Sequence, residues 1–258
     1  MSPAPARWPA PRRYRMALEF DGGAFFGWQV QPGRRTVQGE LERALSTLLR
    51  EKVNVTGAGR TDSGVHARGM VAHFDAAARL DPRLLEGRLN GFLGPDVAVR
   101  GLRRARGSFD ARRSATGRLY HYHLALCKSP LMRRRSWYTP GVDPALLPDL
   151  TRPLLGTHDF KAFCARGDQR ESTRCTLRRA SWKPWADGVC LEIEGDRFLH
   201  HMVRNLVGTL VPLAKGRWPG PGIPELLAGR DRRRAGPTAP ARGLCLMRVY
   251  YGTRPAGP

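Results

Sequence analysis

Gly57-Ala58-Gly59-Arg60-Thr61-Asp62-Ser63-Gly64-Val65-His66-Ala67-Arg68-Gly69 lies between two runs that alternate as strands do. Lys52-Val53-Asn54-Val55 precedes it and Met70-Val71-Ala72-His73-Phe74 follows. The stretch therefore reads as a connection between two strands, far richer in charge and glycine than a hairpin needs. Its glycines open backbone angles closed to other residues and let a ligand approach the main chain. One carboxylate, Asp62, stands among two guanidiniums, Arg60 and Arg68, and one imidazole, His66. Two nucleotide loops fail on spacing. Gly59 and Gly64 have the P-loop interval, but Val65-His66 follow where Lys and a hydroxyl are required. Gly57 and Gly59 open a dinucleotide fingerprint, but Asp62 occupies its third glycine position. The plain alternative is a structural loop with a turn-forming Asp.

Outward from this loop the periodicities are regular. Tyr14–Asp21 alternates with Met16, Leu18 and Phe20 on one face and predicts a strand. Phe25-Phe26-Gly27-Trp28-Gln29 is an aromatic loop whose rings fill core or stack on bases. Thr36 caps a predicted helix to Arg50, with Val37, Leu41, Ala44, Leu45 and Leu48 inward. A second helix runs from Asp81-Pro82 to Leu93, with Leu84, Leu85, Leu89 and Phe92 inward, and Asp96–Arg103 is another strand. Strand, helix, strand, strand, helix, strand is the ferredoxin-like order.

The second half repeats it at the level of pattern. Arg118–Leu126 is a strand with Tyr120, Tyr122, Leu124 and Leu126 on one face. Asp143–Leu155 is helical but interrupted by Pro148 and Pro153. Thr173–Lys183 and Val189–Gly195 form a hairpin, His200–Leu213 and Ile223–Leu227 are helices, and Leu244–Tyr251 is a final strand. The expected fold class is α+β: two ferredoxin-like, RRM-like halves with antiparallel or mixed sheets and helices on one face. The halves span 14–112 and 113–252, between a disordered, proline-rich 1–13 and a tail at 253–258. If the two sheets open toward each other, a cleft forms between them.

Composition narrows the partners. The chain has 258 residues and a net charge of +22, which favours polyanionic nucleic acid. Lysine stands only at Lys52, Lys128, Lys161, Lys183 and Lys215, so the cations are nearly all Arg; part of that excess reflects a GC-rich composition. No apolar run reaches membrane-span length and no basic amphipathic helix stands out. The N-terminus lacks the apolar core of a signal peptide. Five cysteines, an odd number without metal-knuckle spacing, read as thiols of a reducing cytoplasm. His121 and His123 share a strand face and His200-His201 adjoin, but no Cys or carboxylate along the chain completes a metal set, so no metal site is expected.

The central stretch closely resembles the signature of the TruA-type tRNA pseudouridine synthases, Gly-Arg-Thr-Asp-x-Gly-Val-His-Ala. Gly27–Pro32, Thr36–Glu42, Phe198–Asn205 and Gly243–Leu246 also look like family segments, so the resemblance covers about Tyr14 to Tyr251. It implies isomerisation of uridine to pseudouridine in the tRNA anticodon arm, at positions 38, 39 and 40, by a cytoplasmic homodimer whose active site lies in the cleft. It makes Asp62 the nucleophile, Arg204 the guanidinium that orients it, and Tyr120 the residue set against the target base. Arg60 would hold the splayed RNA or wedge into the vacated base position, His66 would order the loop by hydrogen bonds or, with Arg68, contact the substrate, and Arg112-Arg113, Arg133-Arg134-Arg135 and Arg230–Arg234 are candidate phosphate ligands.

Detaching uracil at N1 and rejoining it through C5 needs no redox cofactor, metal or nucleotide. Asp62 attacks C1′ of the ribose or C6 of the base, or leaves a ribosyl adduct while C2′ loses a proton. Each route needs an ionised carboxylate, which a neighbouring guanidinium favours. Two other classes compete. A non-catalytic RNA-binding protein fits the charge and aromatics but gives no reason for Asp62, and no RNP1 pattern is present. A two-metal nuclease needs clustered carboxylates, and the loop has one.

Overall fold

The computed structural model describes residues 12–77, 79–165 and 172–252. Their frame is one mixed sheet of ten strands. In chain order the strands are β1 (Arg12–Phe20), β2 (Val55–Gly57), β3 (His66–Ala76), β4 (Val97–Arg104), β5 (Ala115–Ala125), β6 (Trp137–Tyr138), β7 (Gly156–Asp159), β8 (Arg174–Trp185), β9 (Gly188–Gly195) and β10 (Leu244–Tyr251). The α-helices are α1 (Val37–Leu49), α2 (Pro82–Phe92), α3 (Leu147–Thr151), α4 (Met202–Ala214) and α5 (Ile223–Gly229). The strand order is β4-β1-β3-β10-β5-β9-β8-β7, with β2 on β3 and β6 on β5.

The sheet is continuous where two separate sheets were expected. Its joint is the last strand. β10 pairs antiparallel with β5, and in parallel with β3 through Cys245–His66 and Leu246–Ala67. Gly69 permits the approach, since a Cβ there would lie 2.3 Å from the Met247 carbonyl oxygen. Two apolar cores lie along this sheet, one built on β1, β3 and α1, the other on β5, β9 and α4; Tyr120 packs against both.

Local chemistry accounts for the elements. The Thr36 hydroxyl accepts from the Gly39 amide (3.3 Å) and starts α1, and Arg50 ends it in the left-handed region. Val37, Leu41, Ala44 and Leu45 are fully covered, each leucine contributing about 2 kcal/mol by burial. Asp81 caps α2 and Pro82 fits its first turn. Only part of the expected inner face of α2 is buried, however. Leu85 and Leu89 are covered, while Leu84 is 55% and Phe92 36% exposed, with the Arg43 guanidinium over the Phe92 ring. α2 packs over β4, the edge strand of the sheet, and there a single stripe covers it.

The proline-broken Asp143–Leu155 reduces to α3 and a 3-10 turn, Arg152–Leu154. β1 begins at Arg12, two residues ahead of its expected start. The rest of the expected disordered lead-in, 1–11, and the tail 253–258 lie outside the described residues. Strands β6 and β7 have no counterpart in the periodicity.

Candidate active site

The loop that carries Asp62 is shorter than its motif. It spans 58–65, because His66 to Gly69 already belong to β3. Gly64 has φ of 80° and turns the chain into the strand. The aromatic loop beneath holds it in place: the Trp28 amide donates to the Thr61 carbonyl (3.0 Å) and Ser63 Oγ donates to the Phe25 carbonyl (3.2 Å). Phe25 and Trp28 are core, while Phe26 is exposed and lines the cleft above. From the other side the half-buried Arg118 guanidinium donates to the carbonyls of Ala58 (2.9 Å), Asp196 (3.0 Å) and Arg112 (3.2 Å), tying loop to second half.

Arg204 comes from α4, a helix buried nearly all round. Its next residue, Asn205, is fully buried; its Nδ2 donates to the Phe163 carbonyl (2.8 Å) and its Oδ1 accepts from Thr238 (2.7 Å) and Arg232 (3.0 Å). That clamp fixes the rotation of α4. Arg204 Nε donates to the Ala239 carbonyl (2.8 Å) and Nη1 to Asp62 Oδ2 (2.7 Å). The pair is 142 residues apart in sequence, and each side chain retains about a sixth of its exposure, 17% for Asp62 and 15% for Arg204.

Two imidazoles complete the surroundings of the carboxylate. His200 Nε2 stands 3.4 Å from Asp62 Oδ1 and His201 Nε2 3.4 Å from Oδ2. His201 precedes α4 with φ of 62°, a left-handed conformation unfavourable for a residue with a Cβ. Burial holds the His201 pKa below its ordinary range, against the pull of Asp62. Sequence reasoning treated these histidines as satisfied polar groups; the Phe198–Asn205 segment was the signal that could have placed them here. Although Asp62, His200 and His201 offer three clustered ligand atoms, Arg204 already holds one carboxylate oxygen, and its charge opposes a cation.

The cleft encloses about 1720 Å³. Asp62, Arg204 and Tyr120 line it together, with Arg60, Arg112, Arg113 and Arg197 around them. Tyr120 meets Phe198 edge-on at 5.1 Å. Burial pushes its hydroxyl up to about 12, with Arg118 opposing and Asp62 adding to the rise, so it is a neutral phenol at ordinary pH. Thr61 Oγ1 is, among the described residues, the buried side-chain polar atom left without a partner.

His66 and Arg68 do not line this cleft. The Gly22 amide donates to His66 Nδ1 (3.1 Å), and Nε2 lies 2.9 Å from the Arg134 carbonyl oxygen, which makes the imidazole a brace between loops. Arg68 is exposed on β3. Of the arginine runs, Arg112-Arg113 line the cleft; Arg232 and Arg233 line a smaller pocket that shares His201 with it, while Arg230 pairs with Asp159 and Arg133–Arg135 do not line the cleft.

Residues 16–110 and 150–252 match the family described as tRNA pseudouridine synthase. A protein of Myxococcus xanthus named tRNA pseudouridine synthase A is 42% identical over 248 residues, covering 94% of this chain and 93% of its own. Proteins of the same name from Geobacillus kaustophilus and Bacillus licheniformis are 41% and 37% identical, each match covering 93% of this chain and 95% and 99% of theirs. The match spans both ends of the sheet and both sides of the cleft; the chain belongs to the tRNA pseudouridine synthase family.

Proposed function

We propose that this protein isomerises uridine to pseudouridine in the anticodon arm of tRNA, at positions 38, 39 and 40, with Asp62 as nucleophile. The observation that carries the reading is the Asp62–Arg204 pair at 2.7 Å on the wall of a basic cleft. The guanidinium holds and aims the carboxylate, as attack on C1′ or C6 requires. An extruded uridine meets the carboxylate from the cleft side, with Tyr120 against the base. The neutral Tyr120 hydroxyl can give a proton to the base or receive one once it has given its own. Arg60, Arg112 and Arg113 meet phosphates, while the shape of the RNA arm supplies selection.

Two features of the reading concern the whole molecule. Each half is taken as ferredoxin-like, 14–112 and 113–252. The strand orders β4-β1-β3-β2 and β10-β5-β9-β8 support that division. The working form is taken as a cytoplasmic homodimer, an arm of tRNA being broad enough to engage more than one chain's basic surface. No described helix is long and apolar enough to cross a membrane.

The test is tritium release from tRNA labelled at C5 of uridine. Wild-type protein is expected to release it without additives. Asp62→Asn is expected to lose at least about a thousandfold in turnover while binding tRNA within a few-fold of wild type. Full turnover by Asp62→Asn would refute the nucleophile.

A further inference from the structure

β5 turns Tyr122 and Leu124 into the core and His121 and His123 to the opposite face of the sheet. On β9, Cys190 stands directly across from His123 and Glu192 from His121. Directly opposed residues share a face. Cross-strand register thus assembles donors that no spacing along the chain reveals, and it supplies the cysteine and carboxylate that the sequence alone had not found. One ring nitrogen each from His121 and His123 and the Sγ of Cys190 all lie within 4.8 Å of one another.

We propose that His121, His123 and Cys190 form a site for a divalent transition-metal ion of the zinc class, remote from the catalytic cleft. Two imidazoles and a thiolate suit zinc or cobalt(II), whereas magnesium and calcium take oxygen. Around a tetrahedral ion with bonds of about 2.0–2.3 Å, such donors stand about 3.5 Å apart. Binding therefore draws the three together by at most about 1.3 Å, a side-chain adjustment.

A second observation points the same way. Among the described residues the His123 ring makes no hydrogen bond; it meets the rings of His121 at 6.2 Å and Trp185 at 5.2 Å. Cys190 has a long 3.8 Å approach to the Leu191 carbonyl. A half-buried imidazole without a partner is unfavourable, and ligation satisfies it. Glu192 Oε1 lies 3.6 Å from His121 Nε2, within a small shift of the hydrogen bond by which carboxylates orient metal-bound imidazoles. The nearby cations, Lys183 and Arg179, lie 2.9 and 3.6 Å from Glu192, which offsets their charge. Among the described residues no guanidinium holds the donors themselves, in contrast to the cluster at Asp62. The ion pins β5 to β9, and so steadies the strand that carries Tyr120.

The experiment titrates cobalt(II) into chelator-stripped, full-length protein. One equivalent is expected to bind with a near-ultraviolet thiolate-to-cobalt band and tetrahedral visible bands, which zinc then bleaches. Cys190→Ser is expected to abolish the thiolate band, His123→Ala to weaken binding at least about tenfold, and Asp62→Asn to leave both unchanged. Zinc is expected to raise the Tm of wild type and not of His123→Ala. Absence of a thiolate band in the wild-type protein overturns the proposal without recourse to any variant. Survival of the band in Cys190→Ser, or its loss in Asp62→Asn, places the ion elsewhere and overturns it equally.

Discussion

Between β2 and β3 the chain travels through the 58–65 loop and delivers Asp62; between β8 and β9, the corresponding pair at the other end of the sheet, it turns at Ala186-Asp187 and delivers no side chain to the cleft. The strand orders on either side of the β3–β10 joint are otherwise alike, β4-β1-β3-β2 and β10-β5-β9-β8. What differs is the cargo. One end supplies a carboxylate on a loop, pinned by hydrogen bonds to its carbonyls. The other supplies Arg204 and Tyr120 on a buried helix and a central strand, where packing fixes their direction. One continuous sheet thus serves one asymmetric cleft, with Asp62 on a hydrogen-bonded loop on one side and Arg204 and Tyr120 on packed elements on the other.

The sharpest way to break this comparison is to remove the packed side. Arg204→Ala is expected to lower single-turnover rate about a hundredfold or more, with tRNA affinity nearly unchanged. Loss of affinity at full rate would make Arg204 a phosphate contact instead. Next in size is the tie between the two ends. Arg118→Ala strands three carbonyls and is expected to cost about 2 kcal/mol of stability, read from urea denaturation. An unchanged urea midpoint would mean that the loop is held by the aromatic segment alone.

Acid sharpens the comparison in both ends at once. Burial lowers the pKa of His73 in β3 and of His121 and His123 in β5 below 6.5. Below 6.5 the unfolded chain therefore binds more protons than the native one, so stability falls as pH drops and is level above. Metal-free protein melted between about pH 5 and 8 is expected to show the fall on the acid side, and His73→Gln to flatten part of it. The smallest effect is expected at Thr61→Val. Replacing an unpartnered buried hydroxyl with a methyl leaves stability within about 1 kcal/mol of wild type or raises it. A larger loss would mean that the hydroxyl is satisfied in solution.

The legible parts of the fold were those with long local period. α1 with its Thr36 cap and β10 at Leu244–Tyr251 match their sequence reading within a residue. β6 and β7 are two and four residues long, made by pairing with distant strands, and leave no period to read. The inner face of α2 was overdrawn because the pattern marks Leu84 and Phe92 as apolar but not that the helix lies over the edge strand β4. At the site, Asp62 stood out by its setting, while Arg204 was reachable through family segments alone. Of the two roles that its place in the motif suggests for His66, loop-ordering fits its bonds to Gly22 and Arg134, while substrate contact would need it in the cleft, which it does not line. The His–Cys face of β5 and β9 was invisible for a similar reason: register, not order along the chain, brings it together.

The most direct test is to map pseudouridine nucleotide by nucleotide in unmodified tRNA incubated with the purified protein and no additive, beside Asp62→Asn. Pseudouridine at anticodon-arm uridines with wild type, and none with the variant, is the predicted result. Unchanged uridine with both proteins, or equal conversion by both, would contradict the account.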